Sequence, residues 1–385
     1  MHRIDTKSGL AVGIVVVLAL ATTKLVADTQ ENSEAALYGG LLPSQSNSLS
    51  RAVPGKTLIF PKDHGSHPNY AIEWWYFTAN LSANEQNYGV QYTLFRFNRG
   101  NKQANAWANG QMYMAHASLH MPDKHYFSER FARGGQAHVG ITPSPFSLRM
   151  DDWLWQADNE DLLPATLSLE LVSPASANEL AQPLQNRISV DLELSAYGPL
   201  VLQGDAGFSQ KSMLGTHASY YYSQPFIRVD GMLIEQVGAD QQTYKVSGQG
   251  WFDHEWTSQL LDQQTLGWDW FSIHLDGGEK LMAFRMRLRD NPNYITGTLI
   301  APNGTTTTLD NGTITINPLA YEIDTDNNTQ YPTQWSLAIP QREMAITISP
   351  QKPKQWNRGR FSYYEGAIEI TGTHEGKGFM ELTGY

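Results

Sequence analysis

The chain has 385 residues, no cysteine and a formal charge of −11. Without a thiol there is no disulfide, no cysteine nucleophile, no thiolate metal site and no lipid-modified cysteine. Residues 1–27 are net basic (Arg3, Lys7 and Lys24 against Asp5), which leaves −13 on the remainder, a charge that repels phosphate backbones and argues against nucleic acid.

The N-terminus reads as an export signal. A basic start is followed by Leu10 to Ala21, twelve residues without a charge, and then by small-residue ends at Ala19-Leu20-Ala21 and Leu25-Val26-Ala27. Twelve is short of the roughly 20 residues a spanning helix needs. Residues 1–27 are therefore expected to be a signal peptide or, because Leu25 and Val26 extend the apolar run, an inner-membrane signal anchor. The rest of the chain is then exported, to the periplasm, and touches the membrane only through this segment. Residues 28–56, rich in Ser, Gly, Asn, Gln and Pro without periodicity, read as a flexible linker.

The body reads as all-β. LSLELV (167–172), ISVDLEL (188–194), FIRVDGMLIEQV (226–237), TITI (313–316) and AIEITG (367–372) alternate with period two, and no long amphipathic helix interrupts them. Asp276-Gly277, Asn303-Gly304 and Asn311-Gly312 are hairpin dipeptides. Landmarks recur in order: Asp63-His64 and Asp253-His254; EWWYFTANL (73–81) and GWDWFSIHL (267–275); Phe95-Arg96 and Phe284-Arg285; YYSQPFIRVDG (221–231) and YYEGAIEITG (363–372). Two copies of one unit are expected, with domains at 57–230 and 231–385, each an antiparallel barrel.

The stretch 251–275 concentrates aromatic and ionisable side chains: Trp251, Asp253, His254, Glu255, Trp256, Trp268, Asp269, Trp270 and Phe271. A carboxyl walled by aromatics is pushed toward its neutral form and can donate a proton, while aromatic faces shelter a cation. Adding water to an isolated alkene needs such a donor, such walls and a group to place the water, with no cofactor. Asp269 is the candidate proton donor, with His254 or Glu255 ordering water beside Trp256. Trp268, Trp270, Phe271 and, in the first copy, Trp74, Trp75 and Tyr76 are the candidate ligand contacts. The alternative is that Asp269 and His254 form a structural pair among core tryptophans. Asp63, His64 and Glu73 make a structural or secondary site. Asp63, His64 and His67 have metal-like spacing, but scattered histidines are usually structural, and no metal is expected.

The runs FPKDHGSHPNYAIEWWYFTANL, YGVQYTLFR, SERFARGG, VLQGDAGFSQK, ASYYYSQP, GWFDHEWTS, GWDWFSIHL, YYEGAIEITG and ELTGY resemble the AttH/CrtC family from about Phe60 to Tyr385. That family includes carotenoid 1,2-hydratases (hydroxyneurosporene synthases) and fungal Diels-Alderase relatives. The resemblance implies two tandem lipocalin-like (calycin) antiparallel β-barrel domains, and His254, Trp256 and Asp269 match its hydratase positions. It leaves two functions open. One is an exported carrier of a hydrophobic, isoprenoid or lipid-like ligand, working with an ABC-type transporter; the other is a cofactor-independent hydratase acting on a C=C bond of an acyclic carotenoid or related isoprenoid.

Overall fold

The computed structural model describes residues 49–100, 109–172, 187–213, 217–259 and 264–385. Their regular structure is β apart from two 3-10 turns, Lys62–His64 and Pro340–Arg342. The first sheet contains β1 (Ile72–Ala83), β2 (Gln86–Asn98), β3 (Gln111–His120), β4 (His125–Arg133), β5 (Val139–Pro143), β6 (Phe146–Met150), β7 (Trp153–Ala157), β8 (Ala165–Val172), β9 (Arg187–Ala196), β10 (Val201–Leu202), β11 (Phe208–Gln210), β12 (Ala218–Val237) and β13 (Asp240–Thr257). The second contains β14 (Thr265–Leu275), β15 (Lys280–Leu288), β16 (Tyr294–Ile300), β17 (Thr306–Leu309), β18 (Thr315–Asp324), β19 (Thr329–Ile339), β20 (Met344–Pro350), β21 (Trp356–Asn357), β22 (Tyr363–Gly372) and β23 (Gly376–Leu382).

The strand orders are β4-β3-β2-β1-β13-β12-β9-β8-β7-β6-β5 and β17-β16-β15-β14-β23-β22-β20-β19-β18, with β10 and β11 added to β12 and β21 to β22. In each sheet four strands run outward as successive hairpins, and the last strand of the unit returns to pair antiparallel with the first. The first sheet curls until the Val172 amide on β8 donates to Ser128 Oγ on β4 at 3.3 Å, which nearly closes a barrel. The all-β tandem architecture is therefore as expected.

The pleat explains the burial. In β8 and β9 buried and more exposed positions alternate, the pattern of a sheet with one wet face. Strands β1 and β14 are buried almost continuously, because one face packs into a sheet's own core and the other against the opposite sheet. Trp75, Phe77, Trp155 and Phe252 fill the first core, and Phe271, Trp335, Ile348 and Tyr364 the second. A third cluster, with Tyr76, Phe95, Tyr221, Trp251, Trp268, Trp270 and Phe284, lies between the sheets. Asp276-Gly277 and Asn303-Gly304 fall in the β14–β15 and β16–β17 hairpin turns, with φ of +92° at the neighbouring Gly278 and +85° at Gly304, whereas Asn311-Gly312, with φ of +100° at Gly312, joins β17 to β18 at opposite ends of the sheet and is no hairpin.

Three expectations need correction. The domain boundary at 230/231 falls inside β12, where Asp230 pairs with Ser247 and Gly231 with Val246. The first sheet runs on to Thr257 and the second begins at Thr265. Gly231 had looked like the end of a unit, but it is there for close approach: a Cβ would lie 2.2 Å from the Asp191 carbonyl oxygen. Asp63-His64 and Asp253-His254 are also not equivalent. The first dipeptide precedes β1 in a 3-10 turn, whereas the second lies within β13, the closing strand of the first sheet. Finally, the expected linker 28–56 is tied down at its end, where Tyr220 Oη accepts from the Val53 amide at 2.9 Å and donates to the Val53 carbonyl at 3.0 Å. The export signal and residues 28–48 of the linker lie outside the described residues.

The aromatic landmarks do coincide. β1 and β14 occupy the same place in their sheets, as do β12 and β22. Tyr76 faces Asp253 across β1–β13, and Trp270 faces Glu381 across β14–β23. Asp253 and Glu381 are thus the same position in the two units. The Phe-Arg landmarks share equivalent strands but sit two residues out of step, since Thr93 pairs with Tyr76 while Phe284 pairs with Trp270.

Candidate active site

Two adjoining hollows open between the sheets. The larger, about 310 Å³, is lined by Phe95, Met114, His116, Trp268, Phe361, Tyr363, Glu381 and Tyr385 among others. The smaller, about 50 Å³, shares Phe95, Trp268 and Glu381 and adds Tyr76, Lys211, Tyr221, Asp253, Glu255 and Trp270. An aromatic cavity with a few convergent polar groups at a domain junction is the usual form of a small-molecule site.

The carboxyls give it chemical character. Glu365 and Glu381 are direct cross-strand partners on β22 and β23, fully buried and hydrogen-bonded to each other. Burial pushes Glu365 well above the usual carboxylate range and Glu381 up to about 7. Two carboxylates this close in an apolar wall cannot both ionise, so the pair retains a proton. Tyr76 Oη donates to Glu365 Oε1 at 2.7 Å, and Trp268 Nε1 to Glu381 Oε1 at 2.7 Å, which fixes both side chains.

Asp253 is the first unit's counterpart. Burial raises it to about 7, while Trp251 Nε1 donates to its Oδ1 at 2.8 Å and Ser223 Oγ donates to the same oxygen. Glu255, two residues on and on the same face, is paired instead, with Lys211 Nζ at 2.8 Å and the Ser219 hydroxyl. Lys211 also lies 4.9 Å from the Tyr221 ring centre and 4.8 Å from that of Phe284. Beside an ionised pair, then, sit three carboxyls whose surroundings favour the proton-bearing form.

The structure divides the residues expected from sequence among three places. Glu255, Trp74, Tyr76, Trp268 and Trp270 line the cleft. Trp75, His254 and Trp256 face into the first barrel, and Asp269 and Phe271 into the second sheet's interior. Asp269 is therefore not a cleft acid. Burial pushes its carboxyl up, but Arg285 Nε lies 2.7 Å from Oδ2, Arg287 Nε 3.6 Å from Oδ1, and Tyr385 Oη donates to Oδ1 at 2.8 Å. Nor is it paired with His254, whose Nε2 is 2.9 Å from Glu73 Oε1 and whose ring stacks on Trp75 at 4.6 Å.

Asp63, His64 and Glu73 do form a second polar site, inside the first barrel. Glu73 accepts from Arg96 Nε at 2.7 Å and lies 2.6 Å from His67 Nδ1, besides His254. Burial alone would raise Glu73, but Arg96 and the two histidines hold it well below the usual carboxylate range. His64, 2.7 Å from Tyr222 Oη, is kept neutral by burial, down to about 3, and His254 by burial to about 4. His67, Glu73 and His254 bring ligand-type atoms within 4.8 Å of one another, but the Arg96 guanidinium already serves that carboxylate and opposes a further cation.

Asp253 stands in the aromatic stretch without an assigned role, and Glu365, Glu381, Lys211 and Tyr363 are not singled out by the sequence. The usable signal was an acid in the middle of an apolar strand, as in GFMEL of β23.

Two matched antiparallel sheets with an acid-lined aromatic cleft between them define a lipocalin-like fold. The chain belongs to the AttH-like family, whose model matches residues 51–385. It is similar to a putative AttH of Nitrosomonas europaea, with 31% identity over 88% of this chain and 99% of that one, at a TM-score of 0.73. It also shares its fold with kievitone hydratase of Nectria haematococca, at 16% identity over 89% and 97% of the two chains and a TM-score of 0.59. No curated protein matches the chain.

Proposed function

We propose that this protein is a cofactor-independent hydratase that adds water across a C=C bond of an isoprenoid-like ligand held between the two sheets. The observation that carries the reading is the buried Glu365–Glu381 carboxyl pair, whose Glu381 lines the aromatic cavity. Alkene hydration needs a neutral acid beside carbon. Transfer of that proton leaves a tertiary cation on the ligand and a carboxylate on the protein. Trp268 and its neighbours offer π faces to the cation, and water captures it. A hollow of about 310 Å³ is at the lower end of the usual small-molecule pocket range, so it suits one end of a polyene or a compact isoprenoid.

The basic, apolar N-terminus supports the further proposal that this chemistry takes place outside the cytoplasm, on a ligand delivered from the membrane or by an ABC-type transporter. The test is incubation in ¹⁸O-labelled water with geraniol and with an acyclic carotenoid, each carrying trisubstituted alkenes. The expected product is a tertiary alcohol containing the label. Binding of these compounds with no label incorporated over long incubation would leave only ligand carriage.

A further inference from the structure

The acid dyad accounts for the proton given to carbon but not for the proton lost by the incoming water. The same hollow is also lined by Tyr363, two residues before Glu365 on β22, and by His116 from the first sheet. His116 Nδ1 is 3.2 Å from Tyr363 Oη, and His116 Nε2 is 3.0 Å from Glu129 Oε1. The chain of contacts crosses the sheet junction: His116 and Glu129 face each other across β3–β4 of the first sheet, and Tyr363 opens β22 of the second. We propose that Tyr363, backed by His116 and Glu129, is the base that takes the proton of the attacking water, an inference that rests on the hydratase reading above.

The groups are held as this role requires. Burial raises Glu129, but hydrogen bonds from His116 and the Arg360 amide outweigh it and keep the carboxylate below its ordinary range. An ionised Glu129 accepts from Nε2–H, which leaves Nδ1 to accept the tyrosine proton; the tautomer is assigned from this network. Burial lowers His116, so the ring is neutral and able to take a proton. Gln91 Nε2 donates to Tyr363 Oη at 3.3 Å, and the two rings stack 5.5 Å apart with 23° between their planes. The second sheet's 359–361 segment is fastened to the same carboxylate, with the Arg360 amide 3.0 Å from Glu129 Oε2. At Gly359 a Cβ would stand 2.7 Å from Glu129 Oε1, so a side chain there would have to displace that carboxylate.

The step balances. The dyad gives H⁺ to one alkene carbon, and the water oxygen bonds to the other. As it does so, one water proton passes to Tyr363 Oη while the tyrosine's own proton moves to His116 Nδ1. The imidazolium is stabilised by Glu129, and its proton returns to the dyad through solvent, so that one water is added with no other reactant.

The experiment separates water capture from protonation. In D₂O, reversible protonation of the alkene by the dyad exchanges deuterium into the ligand, and this needs no water addition. With whichever of geraniol or the acyclic carotenoid the wild type hydrates, Tyr363→Phe is expected to lower label incorporation about 10²-fold while deuterium exchange persists. His116→Gln should give the same split, and it decides the matter if Tyr363→Phe does not fold. Glu381→Gln should lose both readouts. Hydration at the wild-type rate in Tyr363→Phe and His116→Gln, with Glu381→Gln inactive, overturns the relay and leaves the hydratase. Equal loss of exchange and hydration in Tyr363→Phe also overturns it, by making the tyrosine structural. A wild type that incorporates no label removes both proposals.

Discussion

Glu381→Gln is expected to slow hydration by about 10² to 10⁴-fold, the range contributed by a positioned general acid, and to leave ligand affinity nearly unchanged. The amide keeps the shape of the side chain and can still accept from Trp268 Nε1, 2.7 Å away in the wild type, but it has no proton to transfer to carbon. The same substitution has a signature in stability. Burial raises Glu381 from an ordinary value of 4.5 to about 7. Between those values the unfolded chain has released its proton and the folded protein has not, so folding stability falls as pH rises through this window. Above about pH 7 the cost is fully present, on the order of 3 kcal/mol for a shift of this size. Glu381→Gln should therefore match the wild type in denaturant titration at pH 4 and exceed it at pH 8. Loss of turnover together with a gain of alkaline stability is the pattern of a functional acid held against its own solvation.

Arg96→Met is the substitution expected to cost the most stability, about 3 to 5 kcal/mol in urea unfolding, the usual consequence of stripping one partner from a buried ion pair. Arg96 is fully buried and spends its guanidinium on Glu73, on Gln111 Oε1 at 2.7 Å, and on the backbone carbonyls of His67 at 2.9 Å and Tyr70 at 3.1 Å. Its removal leaves the Glu73 carboxylate in the barrel with no permanent cation, answered by His67, His254 and the Ser66 hydroxyl, and frees the segment that leads into β1. The double variant Arg96→Met with Glu73→Gln should recover part of the loss, because the uncompensated charge is gone. A single-variant cost below about 1 kcal/mol would mean that water reaches this cluster.

Much of the fold was legible because alternation and duplication survive in the chain. The paired WWYF and WDWF strands read correctly as equivalent, since each needs aromatics on both faces, one set for its own core and one for the junction. The Asp-His repeat misled because a dipeptide carries no register: one copy is a 3-10 turn and the other lies in mid-strand. The site was legible only in part. Choosing Asp269 over Asp253 depended on which face of a strand meets the ligand, and period two shows that two faces differ without showing which is which. Trp75 and Asp269 turned out to face the barrel side, whereas Trp74, Tyr76, Trp268 and Trp270 face the cleft. The Glu365–Glu381 dyad was hidden for a different reason. Its members are 16 residues apart and meet only through the β22–β23 register, and the hollow that Glu381 lines is completed by His116 and Phe95 from the other sheet.

The central claim is that this dyad holds a proton at neutral pH, and infrared difference spectroscopy reads it directly. The spectrum of the wild type minus that of a Glu365→Gln, Glu381→Gln double variant at pH 7 should show the carbonyl stretch of a protonated carboxyl, shifting in D₂O and fading only at alkaline pH. A difference spectrum at pH 7 with carboxylate bands alone would show both glutamates ionised and would contradict the assignment of the cleft as a proton-donating site.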